Sequence, residues 1–281
     1  MARLSAPSFL LPGESPDSIW HLFCHSRLGV MHRKSTSGLA WDKGRLVHRN
    51  GRSPSILREG STYHMVYSKD GRKGSSIFLS SSVDLDGWSK GHEIFSSSSV
   101  PFSSWRGGEA YLGYPQLVEW DGKYRLYFGA GRSEHGGLPA RSGVAESDYL
   151  EGPYSLLDTI LFSPQPGGSP AVLASGPLRL LGCSDMLSAI QAAVCYDEVK
   201  GRVYSSLFLC FSRDGLVWER GGKMMESRLS GWDSGLITGA DLRWKENERT
   251  WYCFYSSARG DNSPWPSSMG LLLGQRGKAI P

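Results

Sequence analysis

Long apolar runs are missing from this 281-residue sequence. No stretch approaches the roughly 20 residues that a membrane-spanning helix needs, so no membrane partner is expected. The opening Met1-Ala2-Arg3-Leu4-Ser5 has no apolar h-region, so no secretory signal is read and a cytoplasmic location is expected. Cysteine is scarce as well. Cys24, Cys183, Cys195, Cys210 and Cys253 are odd in number, mostly within apolar strand-like segments, and without CxxC or Cys/His ligand spacing. They read as small buried hydrophobes in a reducing compartment, and neither a metal nor any cofactor is expected. Charge of one sign is also lacking. The 31 Lys and Arg against 27 Asp and Glu leave a formal +4, scattered along the chain, which argues against a nucleic-acid partner. The one dense basic run, His48 to Arg52, reads as a solvated loop. No Gly-rich phosphate loop joins a strand to a helix. Ser147 and Ser212 have no His and acid arranged to activate them.

Glycine (35) and aromatic residues (10 Trp, 12 Tyr, 10 Phe) are plentiful, and that pairing suits many short strands joined by tight turns. An aromatic-rich strand recurs five times, at residues 20–27, 63–70, 124–132, 178–185 and 251–259. A short apolar strand precedes each copy, opening near residues 6, 53, 114, 169 and 240. A third strand follows, as in 76–88 and 206–218, and a fourth closes most repeats, as in 88–95 and 154–161. The fifth repeat ends at 269–273 without a fourth strand of its own, so a terminal segment is expected to supply it. One four-stranded sheet cannot bury both faces alone, whereas five packed around an axis can. The sequence therefore predicts an all-β, five-bladed β-propeller with four-stranded antiparallel blades, as a single domain over residues 1–281. A β-sandwich predicts alternating short strands but not this fivefold order.

Three segments then carry a family resemblance. Ser212-Arg213-Asp214-Gly215-Leu216-Val217-Trp218 is similar to the Ser-x-Asp-Gly-x-x-Trp turn of furanosidase-like propellers, the group that includes glycoside hydrolase families 32, 43 and 130. Residues 114–128, with Asp121-Gly122-Lys123-Tyr124 at the turn, resemble their strand–turn–strand hairpin, and 143–154 their next turn. Together these span nearly the whole chain and specify the scaffold; outer turns do no chemistry. The resemblance implies an axial funnel lined by carboxylic acids near the starts of the innermost strands, one serving as base or nucleophile, one as general acid and one orienting the sugar. Many members place Asp directly before the proline that opens an innermost strand. Here those positions hold Ala6, Ser53, Tyr114 and Ser169, and only Asp241 lies directly at such a strand.

Loops after the second strands share a face with the starts of the innermost strands. They end in Arg27, Asp70, Arg132, Asp185 and Arg259. Loops entering the innermost strands add Trp105, Arg106, Glu109, Tyr111, Trp232 and Asp233. Exposed loop ends are polar in any protein. As a set, however, these residues form a ring of alternating charge suited to a polar carbohydrate, anionic ones included, because guanidinium forks grip carboxylates and vicinal hydroxyls. Glu109 is the expected general acid, desolvated by its aromatic-flanked loop. Asp241 is the expected base or nucleophile, with Asp185 and Asp70 in support. Arg27, Arg52, Trp105, Arg106, Arg132, Trp232 and Arg259 are the expected substrate-binding residues. His21 and His64 share a repeat slot with Arg125, Arg179 and Tyr252, which reads as structural, and Asp86, Asp121 and Asp214 read as turn residues. The expected activity is cleavage of a glycosidic bond by hydrolysis or phosphorolysis. The alternative is a non-catalytic carbohydrate-binding propeller or a module in polysaccharide assembly.

Overall fold

The computed structural model describes residues 4–104, 109–133, 138–162, 171–183, 186–257, 268–275 and 278–279. These form 20 strands in five four-stranded antiparallel sheets, each made of strands consecutive in the chain. The first sheet holds β1 (Ser5–Leu10), β2 (Trp20–Ser26), β3 (Gly29–Ser35) and β4 (Arg45–Arg49). The second holds β5 (Arg52–Glu59), β6 (Thr62–Gly71), β7 (Gly74–Ser82) and β8 (His92–Ser96). The third holds β9 (Leu112–Trp120), β10 (Lys123–Arg132), β11 (Pro139–Ser147) and β12 (Ser155–Leu156). The fourth holds β13 (Ala171–Cys183), β14 (Leu187–Asp197), β15 (Arg202–Ser212) and β16 (Glu219–Glu226). The fifth holds β17 (Ile237–Lys245), β18 (Thr250–Ser257), β19 (Ser268–Gln275) and β20 (Lys278–Ala279). The innermost strands β1, β5, β9, β13 and β17 touch in sequence, and β17 meets β1, closing a five-bladed β-propeller. The C-terminal β20 supplies the fourth strand of the last blade.

Five apolar clusters fill the five blade interfaces, because each sheet has two apolar faces to bury. At the closing interface Phe9, Trp20, Leu22 and Phe254 pack together, with the Phe9 and Phe254 rings edge to face at 4.8 Å. Each fully buried side chain of this size contributes roughly 1.5–3 kcal/mol.

The fourth blade differs from its sequence reading. Residues 178–183 belong to the innermost strand β13, and the second strand is β14. The aromatic pattern misled because β13 runs 13 residues and absorbs both predicted segments. Arg179 therefore does not occupy the slot of His21 and His64. Asp185, expected at the end of a second strand, lies outside the described residues. The strand that plays that part ends at Asp197, whose carboxylate caps its own turn through Val199 and Lys200 N–H.

A second difference concerns Asp86. In the outer turn of the second blade, Asp84 accepts the backbone N–H groups of Asp86 and Gly87, as Asp214 accepts those of Leu216 and Val217 in the fourth. Asp86 instead reaches across to the first blade and pairs with Lys34 at 2.9 Å and Arg45 at 2.9 Å.

Adjacent innermost strands are tied by one recurring register position. Ser8, Gln116 and Asp241 face Phe23, Tyr127 and Phe254, equivalent residues of their second strands. Ser8 Oγ accepts Ile56 N–H at 3.3 Å, Gln116 Oε1 accepts Leu180 N–H at 2.7 Å, and an Asp241 oxygen accepts Phe9 N–H at 2.9 Å. Asp241 thus makes the tie that joins the last blade to the first.

Candidate active site at the propeller mouth

Just outside this position the innermost strands bulge. Ala6, Ser53 and Tyr114, each directly before a proline, take left-handed φ values of 48°, 49° and 53°. These are strained conformations for residues with a Cβ, and such strain gathers at functional sites. At these positions the sequence resemblance leads to the expectation of Asp. Here the chain offers a methyl, a buried hydroxyl and a phenol instead.

The mouth next to them is built from the first three blades. A cavity of about 410 Å³ lies between the first two, lined by His25, Arg27, Asn50, Arg52 and Asp70 among others. Arg52 opens β5, Asp70 stands near the end of β6 and Arg132 ends β10, so a single face carries all three. Arg52 forms an ion pair with Asp70, and Arg132 Nη2 lies 3.8 Å from the same carboxylate oxygen. The Arg132 guanidinium also lies over the Tyr111 ring at 5.0 Å. Burial holds the Arg52 guanidinium below the usual arginine range, and the phenols of buried Tyr111 and half-buried Tyr114 are pushed up, again by burial first. The group brings together two arginines, one aspartate and two phenols. That is a net positive, hydrogen-bonding surface.

Glu109 is exposed at the same rim. Its neighbour Ala110 accepts a hydrogen bond from Ser75 N–H at 3.1 Å, and Ser75 is the register partner of Asp70. The loop carrying Glu109 is thus laid against the hairpin carrying Asp70. The structure leaves Glu109 open to solvent rather than sunk among aromatics.

Asp241 lies elsewhere. It is buried beneath the mouth, tied to Phe9 N–H, 3.9 Å from Arg243 Nε and within the field of Arg179. Its carboxyl is pushed up by burial, opposed by Arg243 and Arg179. The base or nucleophile role expected of it does not fit this placement. Arg179, fully enclosed, reaches across the axis and donates to Pro115 O and Pro54 O, both at 3.1 Å. Burial lowers its pKa to about 10. Trp232 stacks on Tyr255 at 5.6 Å beside the buried Asp233, on the loop entering the fifth blade. Arg27 is exposed at the edge of the cavity. Trp105, Arg106, Asp185 and Arg259 lie outside the described residues. Among the described residues no group of three His, Cys, Asp or Glu is placed to hold a metal, and no helix is long and apolar enough to cross a membrane. Cys24, Cys195, Cys210 and Cys253 are free and buried.

Sequence reasoning missed His25 and Tyr114 as mouth residues. The signal for Tyr114 was the recurring residue-before-proline position. His25 carried none, because only the β1–β2 pairing brings it to Ser5, whose hydroxyl lies 2.9 Å from Nδ1. Gly29 lines the same cavity with φ +139°, and a Cβ there would sit 2.1 Å from His48 O. Gly29→Ala is expected to destabilise the fold by more than about 1 kcal/mol, read as a lower urea midpoint.

Burial lowers the pKa of His25 and His48 to about 4 and that of His32 to about 3. In the unfolded chain these imidazoles titrate near about 6.5. Between those values the unfolded chain binds more protons than the folded one. Stability is therefore full above about pH 6.5 and falls as pH drops toward 4, with linked uptake of about two to three protons. Urea midpoints measured from pH 7 to 5 should fall, and His25→Gln should flatten the slope. A flat profile would contradict this.

No family model matches the chain, and no curated protein is similar to it in sequence. Solved structures are similar. A thermostable family-43 glycoside hydrolase is 13% identical, with all of this chain and 92% of that one covered, at a TM-score of 0.66. The Cellvibrio cellulosa α-L-arabinanase complexed with arabinohexaose is 12% identical over 99% and 94%, with a TM-score of 0.64. A third belongs to work on family 130, mannoside phosphorylases among which are glycoside hydrolases that target β-1,2 mannosidic linkages in Candida mannan; it is 15% identical over 99% and 86%, with a TM-score of 0.61. At these identities the likeness establishes a glycoside hydrolase-like propeller fold.

Proposed function

We propose that this chain binds a polar, anionic carbohydrate at the propeller mouth and acts on one of its glycosidic bonds. The observation that carries the reading is the Arg52–Asp70–Arg132 group beside the exposed Glu109. Glycosidic cleavage needs one carboxylate to attack or activate water and a second carboxylic acid to protonate the leaving oxygen. Asp70, between two guanidiniums, takes the first role. Glu109, on the loop laid against the same hairpin, takes the second. Arg27 and Arg132 engage the sugar's negative group, and the phenols of Tyr111 and Tyr114 take hydroxyls.

One observation favours a second reading, binding without cleavage. Asp70 and Asp241 each have an arginine beside their carboxylate. A screen of oligosaccharides and aryl glycosides, with and without phosphate, separates the two. Turnover supports the first reading, and saturable binding without turnover supports the second. If no sugar binds, both fail. Anionic sugars should outcompete neutral ones, and salt should weaken them more.

A further inference from the structure

At the end of the ring remote from the mouth, the connection between β17 and β18 carries a second concavity of about 630 Å³, lined by Trp244, Glu246, Asn247, Arg249 and Trp251. Trp244 and Trp251 are cross-strand partners, their rings 5.2 Å apart and inclined at 53°. Both are only partly buried, so two indoles meet solvent inside one concave surface. The platform is held in place. Trp244 Nε1–H donates to Glu246, Glu248 pairs with Lys245 and accepts the Tyr252 hydroxyl, and Lys245 lies 4.9 Å over the Trp20 ring.

The rim is polar, and part of it is not spent on the fold. Among the described residues, neither the Asn247 amide nor the Arg249 guanidinium has a hydrogen-bond or ion-pair partner. Arg249 moreover adopts φ 48°, ψ 42°, a left-handed conformation that Gly or Asn takes at lower cost. A strained arginine whose side chain serves no internal contact points to a use outside the chain.

We propose that this cleft is a second carbohydrate-binding site. It holds one sugar ring of an oligosaccharide against the indoles, while Asn247, Arg249 and the free oxygen of Glu246 take its hydroxyls. An aromatic floor accepts the C–H face of a sugar, and a rim of planar amide, guanidinium and carboxylate meets vicinal hydroxyls. The ligand class is shared with the reading of the mouth; the residues are not. The two sites occupy opposite ends of the ring, so a long polysaccharide held here would keep the chain near its polymer while the mouth engages an end, a gain in effective concentration without new contacts at the mouth.

Calorimetric titration with arabinohexaose, mannohexaose and hexagalacturonate, alongside tryptophan fluorescence, tests this. Wild-type protein should show two sites. Trp244→Ala and Trp251→Ala should each weaken one of them about tenfold, the size expected for loss of a stacking partner. Arg249→Gly relieves the left-handed backbone and removes the guanidinium, so it should leave thermal stability unchanged or higher while weakening the same site. Arg52→Ala, at the mouth, should leave it intact. A single site that survives Arg52→Ala and is lost in the Trp244 variant supports this inference while the reading of the mouth fails. A single site lost in Arg52→Ala and untouched by Trp244→Ala and Arg249→Gly overturns it, as does the absence of binding by all three sugars.

Discussion

Asp70→Asn is expected to lower turnover of any glycoside this chain cleaves by about 10²–10⁴-fold, the usual contribution of a positioned acid–base or nucleophilic group. Asparagine keeps the shape of the side chain but removes the negative charge between Arg52 and Arg132. It can neither attack an anomeric carbon nor take a proton from water. Binding of an anionic sugar should persist or tighten, because two guanidiniums then lack a counter-charge. A fall in kcat without a rise in Kd is the signature. Glu109→Gln should lower kcat on substrates with poor leaving groups far more than on aryl glycosides, whose phenolates leave without full protonation. If Asp70→Asn and Glu109→Gln both keep wild-type kcat, the assignment is wrong. Turnover lost together with binding would assign both residues to recognition.

Asp241→Ala is expected to cost about 3–5 kcal/mol of stability, because it removes one partner of a buried charged group. The carboxylate lies among the enclosed Arg179, Phe9 N–H and the half-buried Arg243. Truncation leaves an orphaned backbone donor, the enclosed Arg179 without the Asp241 charge and a small void where β17 meets β1, while Arg243 keeps its 2.9 Å pair with Glu14. Asp241→Asn keeps an acceptor for Phe9 N–H and should lose less. Urea or thermal unfolding measures the difference. The comparison also separates a tie from a catalyst: an Asn variant with full stability and no turnover would return Asp241 to the chemistry.

The propeller was legible because a blade is a local object. Its strands follow one another in the chain, its turns have fixed chemistry, and each apolar face leaves a period-2 pattern. Hence the Ser-x-Asp-Gly-x-x-Trp turn at 212–218 and the innermost strand starts near 6, 53 and 114 could be placed from sequence. The fourth blade escaped where this locality weakened, since one 13-residue strand reads like two short ones.

The mouth was legible only in part, for a different physical reason. Which loops share its face follows from strand direction, and so Arg52, Asp70, Arg132 and Glu109 could be named. Depth does not follow from strand direction. Asp70 and Asp241 are both strand carboxylates, yet one opens to a cavity and the other is buried where β17 meets β1. The register against Phe23, Tyr127 and Phe254 decides that, and it emerges only when five blades close and set Asp241 beside Phe9, 232 residues away. Sequence by itself determined the repeat, the blade and the face. The closed ring alone decided which of its charges face solvent and which hold the ring together, because burial and ion pairing are properties of neighbours that are distant in the chain.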